Sequence, residues 1–252
     1  FKDEIYYGLF PKPHFVAKNL SILNDKKKIE LANNLKIYIV FKNFFKFDQI
    51  QIKDLIFNKL EFNIQKSDLN FFKNILEAKP NRQKLIIKNS SIFFLNKDEE
   101  VLFINQIDNS KFYFDFKNLK NVYSSKNKIF NNPYKITIKN DKLNQTSFTK
   151  LVMNKLRLKI ENQVSYSKEN KIGFLKINFK NRSNLINYKL KKNSLNFSLE
   201  DSNKTYNGNI EFKPFYMVSN LNYQNLKFSD LINNPLLNDI IKTQIISNEN
   251  LN

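Results

Sequence analysis

The chain has 252 residues, long enough to bury one large core or two small ones. Phe is abundant at 25 while Cys and Trp are absent, which excludes disulfides, thiolate catalysis and cysteine-bound metal. With 42 basic against 23 acidic residues the net charge is +19, which invites nucleic acid or an anionic membrane. Yet Lys, Asn, Ile and Phe are all plentiful, the bias an A/T-rich genome imposes, and the lysines are scattered with Lys26–Lys28 as the longest run.

The chain starts at Phe1 rather than Met, so a preceding segment such as a membrane anchor is expected. The stretch Leu9–Ile22 reads LFPKPHFVAKNLSI. Proline fixes φ and removes a backbone donor, so Pro11 and Pro13 suit an extended lead-in or a sheet edge. Leu35, Ile37, Ile39 and Phe41 then alternate with Lys36, Tyr38, Val40 and Lys42, the period of a strand with one apolar face. Asp68 is placed to cap a helix carrying Leu69, Phe72, Ile75 and Leu76, which must stop before Pro80. The strand period returns at Phe112, Phe114 and Phe116, at Ile136 and Ile138, and at Leu156, Leu158 and Ile160. It continues at Ile177 and Phe179, Tyr188 and Leu190, Leu195 to Leu199, and Ile210 and Phe212.

The intervening breaks are short and polar: Asn96–Asp98, Lys139–Asp141, Ser167–Asn170, Lys180–Ser183 and Glu200–Lys204. Asn and Asp tolerate left-handed backbone and are expected to replace glycine there. Near the end, Asn234 before Pro235 opens a second predicted helix, with Leu237, Ile240, Ile241 and Ile245 along one stripe. About a dozen strands spaced ~4.8 Å apart make a half-buried antiparallel sheet on the order of 50–60 Å long, with one or two short helices to cap it. No apolar run approaches the ~20 residues of a membrane helix.

Several short motifs resemble one family in order. Leu9-Phe10-Pro11-Lys12-Pro13, then Asn19-Leu20-Ser21-Ile22, then Ala32 before the strand Leu35–Phe41, resemble the opening of the AsmA family of Gram-negative envelope proteins. Ile50–Leu55 with Leu60–Ile64 is similar to that family's paired short strands. Leu85–Phe94 is similar to its L-x-I-x-x-(G/S)-x-I-x-F unit, with Ile104–Asp108 following, and Tyr206–Phe215 to its glycine-led strand closing on P-F. Lys59 stands where the family often has proline, and Ser90 where it often has glycine.

The resemblance spans nearly the whole chain, read here as one module, residues 1–252, that could belong to a longer protein. It implies a curled sheet whose apolar groove holds phospholipid acyl chains. The implied setting is the inner membrane, facing the periplasm and anchored by an N-terminal helix, with envelope proteins as further partners. The implied work is phospholipid transport between inner and outer membranes and outer-membrane biogenesis. Candidate groove residues are Leu35, Ile37, Ile39, Phe41, Ile50, Ile52, Phe62, Ile64, Phe112, Phe114, Phe116, Leu156, Leu158 and Phe197.

Two other readings stand beside it: a scaffold for outer-membrane proteins that carries no lipid, and a nucleic-acid binder using Lys with Phe and Tyr. The aromatics share faces with Ile and Leu, which argues against nucleic acid. His14, the single histidine, lacks a second His or a Cys and is read as a surface residue rather than a metal ligand. Asp98, Glu99 and Glu100 lack the spacing of a calcium loop, and Gly8, Gly173 and Gly208 are too far apart for a phosphate loop. Asn-x-Ser/Thr at Asn19, Asn89, Asn144, Asn181, Asn196 and Asn203 is expected by chance in so Asn-rich a chain. No nucleophile with a base and no paired carboxylates stand out, so neither enzymatic activity nor a cofactor is expected.

Overall fold

A computed structural model describes residues 5–24, 27–40, 51–65, 68, 82–167, 170–180, 182–201 and 204–220. These form β1 (Ile5–Gly8), β2 (His14–Asn24), β3 (Lys27–Ile39), β4 (Ile52–Ile64), β5 (Lys84–Leu95), β6 (Val101–Asp115), β7 (Lys120–Ile129) and β8 (Asn132–Asp141). There follow β9 (Thr146–Met153), β10 (Leu158–Tyr166), β11 (Lys171–Phe179), β12 (Arg182–Leu190), β13 (Ser194–Asp201), β14 (Lys204–Phe212) and β15 (Phe215–Asn220). The fold is mainly β. All fifteen strands lie in one sheet in chain order, from β1 to β15, and the sheet does not close into a barrel. Both predicted helices lie outside the described residues except for Asp68, which is in a 3-10 conformation, and a 3-10 turn is described at Asn154–Leu156.

The sheet is mixed rather than wholly antiparallel, because β4 and β5 pair in parallel. Parallel neighbours cannot be joined by a hairpin and need a crossover of a dozen or more residues, which residues 65–83 are long enough to supply. The chain divides into two compact units, Phe1–Thr137 and Ile138–Asn252, with the boundary inside β8.

The turns use an economy suited to a chain with three glycines. Glu99, Leu119, Phe130, Asn131, Gln145, Arg157 and Lys180 take the left-handed conformation, with φ between 45° and 66°. Only one of these is Asn, so the expected substitution of Asn or Asp for glycine mostly fails. The short polar side chains work instead as acceptors at the head of the turn. Asp115 Oδ1 accepts the backbone N–H of Lys117 at 3.0 Å and of Asn118 at 3.2 Å, and Asn118 Nδ2 donates to Asp115 Oδ2 at 2.8 Å. Asp141 and Asn144 repeat this D-x-x-N arrangement two hairpins later, at 3.0 and 2.9 Å. The break predicted at Lys139–Asp141 therefore starts later, since β8 runs through Asp141.

In the first unit a row of residues is skipped by the ladder. Asn19, Asn33, Lys59, Asn89 and Asp108 stand opposite one another across β2 to β6, between regular pairs on both sides. Asn19, Lys59 and Asn89 are left-handed there, at φ 49°, 57° and 49°. In an unbroken strand Phe57 and Leu60 would point to opposite faces. The break turns the strand, and Phe57 packs with Leu60, Phe62 and Ile64, joined by Ile87, Ile92 and Phe94 from β5. Ser90 closes the gap: its hydroxyl accepts the Leu60 N–H at 3.0 Å and donates to the Lys88 carbonyl at 2.7 Å. A backbone donor that the ladder abandons is thereby satisfied by a side chain.

Candidate functional site

Cross-strand register decides which side chains share a face, because directly opposed residues point the same way. In the first unit Ile37 lies opposite Phe15 and Leu55, Leu35 opposite Ala17 and Phe57, and Phe112 opposite Leu85 and Tyr123. A bulge in β4 brings Ile52 opposite Ile39. Leu35, Ile37, Ile39, Ile52, Phe62, Ile64 and Phe112 therefore share one apolar face of this unit. The centre of it is closed, with Leu60 1%, Phe62 4% and Ile64 3% exposed.

The second unit carries a longer and more open apolar face. Leu158 opposes Met153 and Phe179, and Ile160 opposes Leu151 and Ile177. Ile186 opposes Leu175 and Leu199, and Tyr188 opposes Phe197. Leu195 opposes Ile210, which opposes Met217, and Phe212 opposes Phe215. These apolar residues of all seven strands β9–β15 stand on one side, while Ile172, Phe174, Leu185, Tyr216 and Val218 alternate onto the other. Much of that side is open: Phe179 is 37%, Phe212 38%, Met217 50% and Phe215 53% exposed. Its reverse is mixed: Ile172 is 58%, Leu185 46% and Val218 44% exposed there, and Glu161 meets Lys159 at 2.9 Å and Lys150 at 3.4 Å. Those two lysines hold the Glu161 carboxyl below its ordinary value, the hydrogen bond from Lys159 contributing most.

Two of the candidate groove residues fall outside the strands. Phe116 was expected to extend the alternation of Phe112 and Phe114, but Asp115 starts the turn, leaving Phe116 54% exposed and edge-on to Phe114. Leu156 belongs to the 3-10 turn, because left-handed Arg157 separates it from β10. Phe114 opposes Asn121 at the end of β6. Leu158 and Phe197 lie on the second unit's apolar face, and Phe41 and Ile50 lie outside the described residues.

Between the apolar stretches lies a polar sector that alternation could not reveal. Asn121, Ser125 and Asn127 of β7 and Ser110 and Asn105 of β6 are buried. They bond among themselves: Ser125 Oγ lies 2.6 Å from Asn127 Oδ1, and Tyr134 Oη donates to Asn105 Oδ1 at 2.9 Å. The Tyr134–Asn105 bond reaches from β8 to β6, past β7. Tyr166 bonds Asn140 and Tyr188 bonds Asn162 in the same way, each at 2.8 Å and each past one intervening strand. Burial raises the Tyr134 and Tyr188 hydroxyls above the ordinary phenol range, so both remain donors at any physiological pH.

All three glycines make room for rings. Gly8 opposes His14, Gly173 opposes Tyr188 and Gly208 opposes Phe197. A Cβ at Gly173 would lie 2.7 Å from Tyr188 Oη, and one at Gly8 2.6 Å from His14 Cε1. Such glycine–aromatic pairs cover backbone that a side chain would otherwise shield. They also correct the reading of His14, which is 7% exposed, stacks on Tyr38 at 5.1 Å and bonds the Lys12 carbonyl through Nδ1 at 2.8 Å. Among the described residues no group of three or more His, Asp or Glu is placed to hold a metal ion.

No helix among the described residues is long and apolar enough to cross a membrane. Neither the protein-family models nor the curated proteins provide a match to the chain. The likeness to the AsmA family therefore rests on the sequence motifs alone.

Proposed function

We propose that the chain is a lipid-binding module that holds phospholipid acyl chains against the apolar face of its sheet. The observation that carries this reading is the continuous apolar row across β9–β15, with Phe179, Phe212, Phe215 and Met217 left substantially exposed. Contiguous apolar surface on a protein marks a place where something apolar docks. An acyl tail of about 16 carbons costs ~12 kcal/mol to hold in water, at ~0.8 kcal/mol per methylene. A sheet face that carries a continuous apolar row removes much of that cost. The family likeness supplies the setting: anchored in the inner membrane, facing the periplasm, serving phospholipid transport toward the outer membrane and outer-membrane biogenesis, with no catalytic step.

Native mass spectrometry of protein purified from cells tests this directly. Co-purifying phospholipid is expected with the wild-type chain and is expected to be lost from a Phe179→Asp/Phe212→Asp variant. Both positions are exposed, so the variant should melt close to wild type. A lipid-free wild type, or a variant that keeps its lipid, overturns the reading. Lipid-free protein that instead captures outer-membrane proteins would favour the scaffold.

A further inference from the structure

The other side of the first unit differs in kind from its apolar side. Lys111 opposes Ile86 on one neighbouring strand and Ser124 on the other. Lys84 stands two residues from Ile86 along β5, and Lys126 two residues from Ser124 along β7. Both are therefore diagonal neighbours of Lys111 on one face, a separation of ~7–8 Å between adjacent members. Asn109 opposes Lys88 and Lys126, adding a fourth lysine in the next row. These lysines sound scattered in the chain, and the register gathers them.

They surround an open hollow of about 440 Å³, lined by Lys84, Asn109, Lys111, Tyr113, Ser124 and Lys126. No carboxylate is among the lining groups. Asp54 pairs in register with Lys84, but its Oδ1 is buried without a hydrogen-bond partner. A bulge in β6 lies at the hollow's rim, where Asp108 and Asn109 take up one position against β7. Bulges of this kind re-aim side chains and recur beside binding sites. Like charges side by side in a sheet oppose folding, and although Asp54 stands beside Lys84, no acid opposes Lys111, whose partners are Ile86 and Ser124. Three ammonium groups with hydroxyl and amide donors match the several acceptor oxygens of a phosphate group.

We propose that this hollow binds a phosphate group, carried either by a free anion or by a lipid headgroup. The site lies on the face opposite the apolar one and does not depend on acyl-chain binding. The test compares the wild-type chain with Lys111→Gln/Lys126→Gln, and with Lys189→Gln/Lys191→Gln in the second unit, which removes the same charge elsewhere. Inorganic phosphate is titrated by calorimetry, and phosphatidylcholine vesicles with and without phosphatidylglycerol are tested by co-sedimentation. Phosphate binding weakened about tenfold or more by the first variant alone assigns a free anion. Phosphatidylglycerol-dependent sedimentation lost in the first variant alone assigns a headgroup. Binding of neither probe, or an equal loss in both variants, overturns the site and leaves only diffuse charge.

Discussion

The two units answer one sequence pattern differently. In β4 and β5 the skipped row turns the strand, so that apolar residues of both phases converge and seal Leu60 to 1% exposure. Across β9–β15 the pairing register runs unbroken, and among the described apolar residues there only Met153 and Leu199 are buried. The contrast teaches that alternation alone makes a face, whereas a phase break makes a core. A core is where stability resides, and an unbroken face is where a ligand can be accommodated.

The largest expected effect follows from truncating each region. Leu60→Ala should cost ~2–5 kcal/mol by denaturant unfolding, as deletions in sealed cores do. Ile177→Ala, half-buried on the second unit's face, should cost under about 1.5 kcal/mol. Equal losses would dissolve the distinction between core and face. A smaller effect is expected at the skipped row itself. Ser90→Ala strands the buried Leu60 N–H and should cost ~1–3 kcal/mol. On a regular ladder, Ser165→Ala should stay within ~0.5 kcal/mol. If Ser90→Ala proves equally mild, backbone or water has taken over the Leu60 N–H and the hydroxyl is not what closes the row.

The smallest effects are electrostatic. Asp115 is held below its ordinary value chiefly by the Asn118 side chain, and Glu161 chiefly by Lys159. A folded value below the unfolded one means stabilisation that is present above the unfolded value and lost as pH falls through the folded value. Both groups should therefore loosen their surroundings in acid. Salt should separate them. At ~1 M ionic strength the Debye length is ~3 Å, so the Glu161 value should rise toward normal while Asp115, held by a neutral amide, should hardly move. NMR titration of the two carboxyls at low and high salt reads this out. A shift of equal size at both sites would mean that general charge, not the Asn118 amide, sets the Asp115 value.

Alternation made the mainly-β architecture legible, along with most strands of the second unit, because a half-buried strand must alternate. It could not disclose β7, whose buried positions are Asn121, Ser125 and Asn127, polar residues that interior hydrogen bonds make tolerable. The phase break had a trace in the change from Leu55 and Phe57 to Leu60, Phe62 and Ile64. Reading it required knowing that Lys59 is left-handed, which nothing in a lysine announces. The parallel pair was half visible, since a helix was expected between the two strands. His14 and the lysine hollow were beyond reach. Gly8 and Tyr38 enclose the first, and strands β5 to β7 assemble the second, and both depend on register, not on spacing along the chain.

That the strands stand in chain order bears on how such a molecule is made and varied. Each strand after β5 pairs first with the one just synthesised, so contacts stay local and loop closure costs little. The sheet can lengthen hairpin by hairpin as the chain emerges, each new edge templating the next. Inserting or deleting one hairpin would change the reach of the sheet while leaving the pairing on either side intact. Length in this architecture is thus a heritable variable, tunable two strands at a time without redesigning the rest.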